Sequence, residues 1–115
     1  MTLPSHDLAA IREALLEKLD ECRAASSATT TDRKPVELDQ TTVGRLSRMD
    51  AIQRQAMALA ADNQRQRQMR KLEAAIGRLD AGDYGYCVRC GHEIGERRLA
   101  IDPAVPTCID CARQR

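Results

Sequence analysis

Phenylalanine and tryptophan are missing from this 115-residue chain, and Tyr84 and Tyr86 are its only aromatic residues. Aromatic side chains bury the most surface per residue, so a broad globular interior is excluded and thin helical seams of Leu, Ile, Met and Ala are favoured. Long hydrophobic runs are missing too. Charges interrupt the opening MTLPSHDLAAIREALLEKLD, which leaves neither a signal-peptide core nor a membrane-length segment, and a cytoplasmic protein with no membrane partner is expected. A strong charge of one sign is also lacking. The formal net charge is +1, which gives no global attraction to nucleic acid or to an anionic membrane. His6 and His92 are isolated, and no nucleophile motif or phosphate-cradling loop occurs, so the chain is not expected to be an enzyme.

Another absence is local. From Leu46 to Ile76 there is neither proline nor glycine, and the run is rich in Ala, Gln, Arg, Met and Leu. This predicts a helix of roughly 35 residues and about 50 Å, too long to be stable without a partner helix alongside. The partner is upstream. Leu8, Ile11, Leu15, Leu19 and Cys22 recur at intervals of three and four behind a Ser5 or Asp7 cap. Between the two helices, Ser26 to Pro35 is a Ser/Thr-rich loop. The expected fold is mainly α: a long antiparallel helical hairpin, or coiled coil, over residues 1–82. Its helix 1 covers about 6–25, its tip loop about 26–42 and its helix 2 about 43–81.

Periodicity also proposes which faces meet. Leu46, Met49, Ile52, Ala56 and Leu59 are expected to face helix 1, with Met69, Leu72, Ile76 and Leu79 resuming the stripe further on. The almost wholly polar Ala61–Gln68 between them is either solvated or partner-facing. Residues 1–40 carry five basic and eight acidic side chains, and residues 41–82 carry eight and four. Two helices of opposite sign lying side by side account for that asymmetry better than a nucleic-acid surface does.

What the chain does have, after Gly82, is cysteine at telling intervals. Cys87-Val-Arg-Cys90 and Cys108-Ile-Asp-Cys111 are two Cys-x-x-Cys pairs at the spacing that closes four thiolates on one tetrahedral zinc ion. Gly91 lets the chain reverse just after the first pair. Four sulfur ligands leave no position for water, so Cys87, Cys90, Cys108 and Cys111 predict one structural Zn2+ and a small four-cysteine finger over 83–115. A disulfide pairing would need an oxidising compartment, and a redox Cys-x-x-Cys would need a βαβ unit that the pattern does not contain. Cys22 has no ligand-spaced neighbour and is expected to be a small residue on the apolar seam.

The finger's flanks carry a resemblance. Gly82-Asp-Tyr-Gly-Tyr-Cys-Val-Arg-Cys-Gly-His-Glu-Ile-Gly-Glu-Arg-Arg-Leu-Ala100, with Pro103 and Pro106-Thr-Cys-Ile-Asp-Cys111, resembles the DksA/TraR family of bacterial transcription regulators over the last third of the chain. The resemblance implies a protein that binds RNA polymerase directly and does not read DNA. Its hairpin would enter the secondary channel with tip acids near the active centre, often acting with the alarmone ppGpp. The family's tip motif Asp-x-x-Asp-x-Ala is not present, so Asp39 and Asp50 are the tip-acid candidates, with Arg45 and Arg48 as polymerase contacts. Lys71 matches a basic family position and is a residual alarmone contact. Asp102 and Ala112 stand where alarmone-responsive relatives are basic, which implies little or no ppGpp dependence. The alternative is a DNA-binding zinc module using Arg89, His92, Arg97, Arg98, Arg113 and Arg115. Against it, the five basic and five acidic residues of the finger give no basic excess. Arg97 and Arg98 are expected to pair with Glu93, Glu96 or the end of helix 2.

Overall fold

The computed structural model describes residues 5–30 and 44–114, and of residues 5 and 6 the backbone alone. Two long helices, α1 (Ser5–Ala28) and α2 (Arg45–Ala81), lie against each other, followed by two short ones, α3 (Glu96–Ile101) and α4 (Ile109–Arg113). The molecule measures 65 × 30 × 20 Å, the proportions of a rod with a small head. None of its described helices is long and apolar enough to cross a membrane.

The hairpin is antiparallel, and its register is readable from the pairs that cross it. Arg12 meets Asp80 at 3.0 Å, Arg23 meets Glu73 at 3.4 Å, and Ser26 meets Asp62 at 2.5 Å. The first two are exposed ion pairs, each contributing at most about 1 kcal/mol. Cohesion comes instead from Leu15, Leu19, Met69, Leu72 and Ala75, which bury themselves together with Ala104 of the head. Cys22 packs on the edge of this cluster, as expected of an apolar-seam residue.

One expectation about the seam is overturned. Leu46, Met49, Ile52, Ala56 and Leu59 do not face α1; Leu46 is 77% exposed and Met49 55%. The reasons are face and length: Arg48, Ala51, Gln55 and Ala58, not these five, continue the side of α2 that packs on α1. α1 has 24 residues against 37 in α2, and because both are anchored at the head, α1 ends level with about Asp62. Some 25 Å of α2 therefore runs on beyond it. The polar stretch Ala61–Gln68 is split: Ala61, Asn63, Gln64 and Arg67 are exposed to solvent, whereas Asp62, Arg65 and Gln66 hold the last turns of α1. Asp62, 6% exposed, accepts from the Ser26 hydroxyl, Arg65 donates to Thr29 Oγ1 at 2.9 Å, and Gln66 donates to Ser26 Oγ at 3.4 Å. Burying a carboxylate is tolerable only with such partners.

The junction between rod and head is stiff. α2 ends in a Schellman motif: Gly82, at φ 82°, donates to Leu79 O while Asp83 donates to Arg78 O at 2.8 Å. A second buried cluster, Tyr84, Cys87, Ile94, Leu99, Val105 and Cys108, then packs directly on Leu8, Ile11 and Leu79 of the hairpin. Ile11 and Leu79 touch both clusters, so head and rod share one continuous interior.

Candidate functional site

The head is built around its four cysteines. Tyr86 pairs antiparallel with Glu93 in an isolated bridge, flanked by Cys87 N–H to His92 O and Ile94 N–H to Gly85 O, both 2.8 Å. Inside this small hairpin, Gly91 donates to Cys87 O at 2.9 Å and takes φ 78°, a conformation that strains any residue with a Cβ. The reversal points Cys87 and Cys90 the same way. The second pair is placed by α4: Cys108 is its N-cap and Cys111 lies in its first turn, with Cys111 N–H 3.5 Å from Cys108 Sγ. Val88 N–H to Pro106 O, at 2.9 Å, ties the two halves together.

The four Sγ atoms all lie within 4.8 Å of one another, and Cys90 Sγ and Cys108 Sγ are 3.7 Å apart. Zinc–sulfur bonds of about 2.3 Å in a tetrahedron put sulfurs roughly 3.8 Å apart, so the quartet fits one such ion. Electrostatics agree. Burial works against a charge on Cys87, but N–H groups of Cys90, Cys108 and Arg89 outweigh it and bring this thiol down to about 5. Contacts with the sulfurs of Cys108 and Cys87, and then burial, push Cys111 up to about 12. One thiolate thus suppresses ionisation of its neighbours, and only a cation at the centre lets all four be charged. Such an ion supplies a cross-link and charge neutralisation; with four sulfurs around it, no position is open for chemistry.

Two of the head's arginines are used at home. Arg89 reaches the carbonyls of Cys111 (3.4 Å) and Gln114 (3.3 Å) at the end of α4, and Arg98 donates to Thr107 O at 2.9 Å. Arg98 thus ties to a backbone carbonyl within the head, a partner outside the expected set of Glu93, Glu96 and the end of helix 2. Tyr84, whose hydroxyl donates to Pro103 O at 2.7 Å, has its pKa raised, chiefly by burial. At the junction Lys71 forms an ion pair with Asp102, which also accepts from Ala104 N–H at 3.1 Å. Burial acts to raise the Asp102 carboxyl, but the bonds from Lys71 and Ala104 prevail and hold it below its ordinary value. Neither this pair, 31 residues apart, nor the Ser26–Asp62 contact has a spacing by which sequence could have announced it.

The remaining candidates are far from the cysteines. Arg45, Arg48 and Asp50 lie at the start of α2, at the opposite end of a helix about 55 Å long. Asp39 falls outside the described residues.

Residues 82–115 match the family described as the prokaryotic dksA/traR C4-type zinc finger. The chain is 54% identical over 43 residues to the RNA polymerase-binding transcription factor DksA of Haemophilus influenzae, covering 37% of this chain and 30% of that protein. It is 40% identical over 63 residues to the Escherichia coli K12 protein of the same name, covering 53% and 42%. The match thus spans less than half the length of these curated relatives. The solved structure of transcription factor DksA2 from Pseudomonas aeruginosa superposes with a TM-score of 0.74 at 22% identity, over 96% of this chain and 83% of that one. This likeness carries the fold through the hairpin, where sequence similarity is low.

Proposed function

From the premise that residues 82–115 are a DksA/TraR-type C4 zinc finger set on a DksA-like helical hairpin, we propose that this protein is a cytoplasmic regulator of bacterial transcription that binds RNA polymerase. It acts through protein contact rather than by reading DNA or by catalysis. The observation that carries this is the continuity of head and rod: Ile11 and Leu79 join both cores, so a zinc-held head outside a channel can aim a rigid helix into it. α2 alone gives a reach of about 55 Å. In this reading the hairpin enters the secondary channel, with Asp50 or Asp39 as the acid nearest the active centre and Arg45 and Arg48 as contacts.

Crosslinking from a photoreactive probe at position 50 to purified RNA polymerase tests it. Crosslinks to elements around the active centre are expected; crosslinks confined to the exterior, or none, refute the channel reading. A DNA-binding module predicts the contrary result, a steeply salt-dependent affinity for duplex DNA. The balanced charge of the head gives no excess of cations for phosphates, and Arg89 and Arg98 are held by internal bonds.

The same reading includes little or no ppGpp dependence. Lys71, the residue matching a basic family position, spends its charge on Asp102. A polyphosphate would have to displace that carboxylate and then meet its repulsion. Equal transcriptional effects with and without ppGpp are expected from the natural chain. Asp102→Lys, which frees Lys71 and adds a second cation, should introduce a measurable ppGpp response in the same assay.

A further inference from the structure

The protruding half of α2 is apolar where no part of α1 covers it. Leu46, Met49, Ile52 and Leu59 are 77%, 55%, 45% and 42% exposed, and Ala56 is exposed between them. Their spacing of three, three, four and three keeps them on one face, a strip roughly 20 Å long. Arg48, Ala51, Gln55 and Ala58 are half-buried and continue the face that, further along, packs on α1. The strip therefore points away from the hairpin's own seam. Contiguous exposed apolar surface of this kind marks an interaction site.

The charge around the strip indicates what covers it. Residues 45–61 hold Arg45, Arg48 and Arg54 against Asp50 alone. The first turn contains no acid, and the N-cap Gly44 offers no side-chain bond. Arginines at a helix N-terminus add to the positive end of the helix dipole, a local cost that carboxylates on a partner would relieve. A second copy of this chain is a poor occupant. It would bring the same arginine excess, and one helix face 20 Å long falls well short of the roughly 800 Å² per partner of a stable dimer. A groove that wraps the helix gains more contact from the same strip.

We infer that the protruding half of α2 is a groove-binding helix: Leu46, Met49, Ile52, Ala56 and Leu59 seat in an apolar groove of RNA polymerase whose rim supplies carboxylates to Arg45 and Arg48. This rests on the polymerase reading above and adds that binding depends on the apolar strip as well as on the charged contacts Arg45 and Arg48. The helix–groove contact holds the rod in place, and Asp50, on the same segment, is oriented by it.

Methionines report on the strip directly. Met49 lies within it, Met57 (66% exposed) at its edge, and Met69 (8% exposed) in the core. In oxidative footprinting read by mass spectrometry, the free chain is expected to oxidise at Met49 and Met57 and not at Met69, with Met49 protected when RNA polymerase is added. The triple variant Leu46→Gln, Ile52→Gln, Leu59→Gln should keep its helicity and zinc content while its polymerase affinity falls at least about tenfold, as for the loss of several buried anchors. Met49 protected in the free chain, Met49 oxidised as fast with polymerase bound, or a triple variant binding as tightly as the natural chain would each overturn the inference while leaving polymerase binding intact. A concentration-dependent dimer in sedimentation that the triple variant abolishes gives the strip to a second copy and also overturns it. Failure of the natural chain itself to bind polymerase removes both this inference and the proposed function.

Discussion

Cys108→Ser is expected to reduce bound zinc from one ion per chain to near none, measured by elemental analysis of the purified protein, and to unfold the head. Cys108 lies in the buried cluster with Tyr84, Leu99 and Val105, caps α4, and is one corner of the sulfur tetrahedron. Apparent binding energies of structural zinc are about 10–16 kcal/mol in small finger peptides, more than a 34-residue head with six buried cluster residues gains from packing alone. Amide exchange should therefore speed up through residues 84–113, with α1 and the adjoining part of α2 weakened because Ala104 belongs to their core. Cys22→Ser, which alters a thiol outside the quartet, should retain its zinc. The sign of the pH effect follows from the thiols. In the metal-free quartet Cys87 is depressed to about 5, whereas Cys90 is raised and Cys111 stands at about 12. Loading zinc must expel the protons of the raised thiols, so affinity climbs with pH and is lost on acidification. Calorimetric titrations in buffers of different ionisation enthalpy should show protons released for each ion bound. Zinc uptake without proton release would contradict a four-thiolate site.

Leu72→Ala should destabilise the zinc-loaded chain by about 2–5 kcal/mol in urea titration, against a total stability of about 5–15 kcal/mol for a domain of this size. Leu72 is 1% exposed at the centre of the hairpin core, so its truncation leaves a cavity that Leu15, Leu19 and Met69 cannot all close. Leu46→Ala, by contrast, should fall within about 0.5 kcal/mol of the natural chain, because nearly all of Leu46 is already in solvent. The two leucines share one helix but not one face, and their different effects separate the half of α2 that holds the fold from the half that extends beyond it. Equal losses at both positions would mean that the start of α2 is packed after all.

Leu46 and Leu72 also show where pattern reading stops. Three-and-four spacing states that residues share a face and says nothing of what that face meets. The stripe assigned to α1 was therefore right as a helix surface and wrong as an interior at Leu46, Met49, Ile52, Ala56 and Leu59. In Ala61–Gln68 the pattern was right for the exposed Ala61, Asn63, Gln64 and Arg67 and wrong for Asp62. Its polarity suggested solvent or a partner, yet Asp62 is buried because Ser26, Arg65 and Gln66 satisfy its surroundings from two helices. Arg98 was expected on Glu93, Glu96 or the end of helix 2, and its guanidinium donates to Thr107 O, a backbone group that composition cannot locate.

The chain alone determined the chemistry that depends on short intervals. Two Cys-x-x-Cys turns, a glycine after the first and a glycine after a long helix follow from local steric and ligand geometry, so the metal centre and the length of α2 were legible. Tertiary structure decided everything that depends on register between distant segments: that α1 stops level with Asp62, that Lys71 is neutralised by Asp102, and that the apolar start of α2 stands uncovered. The physical reason is common to all three. A hairpin's register is set by the sum of many weak seam contacts together with its anchorage at the head, and no single residue or spacing encodes that sum.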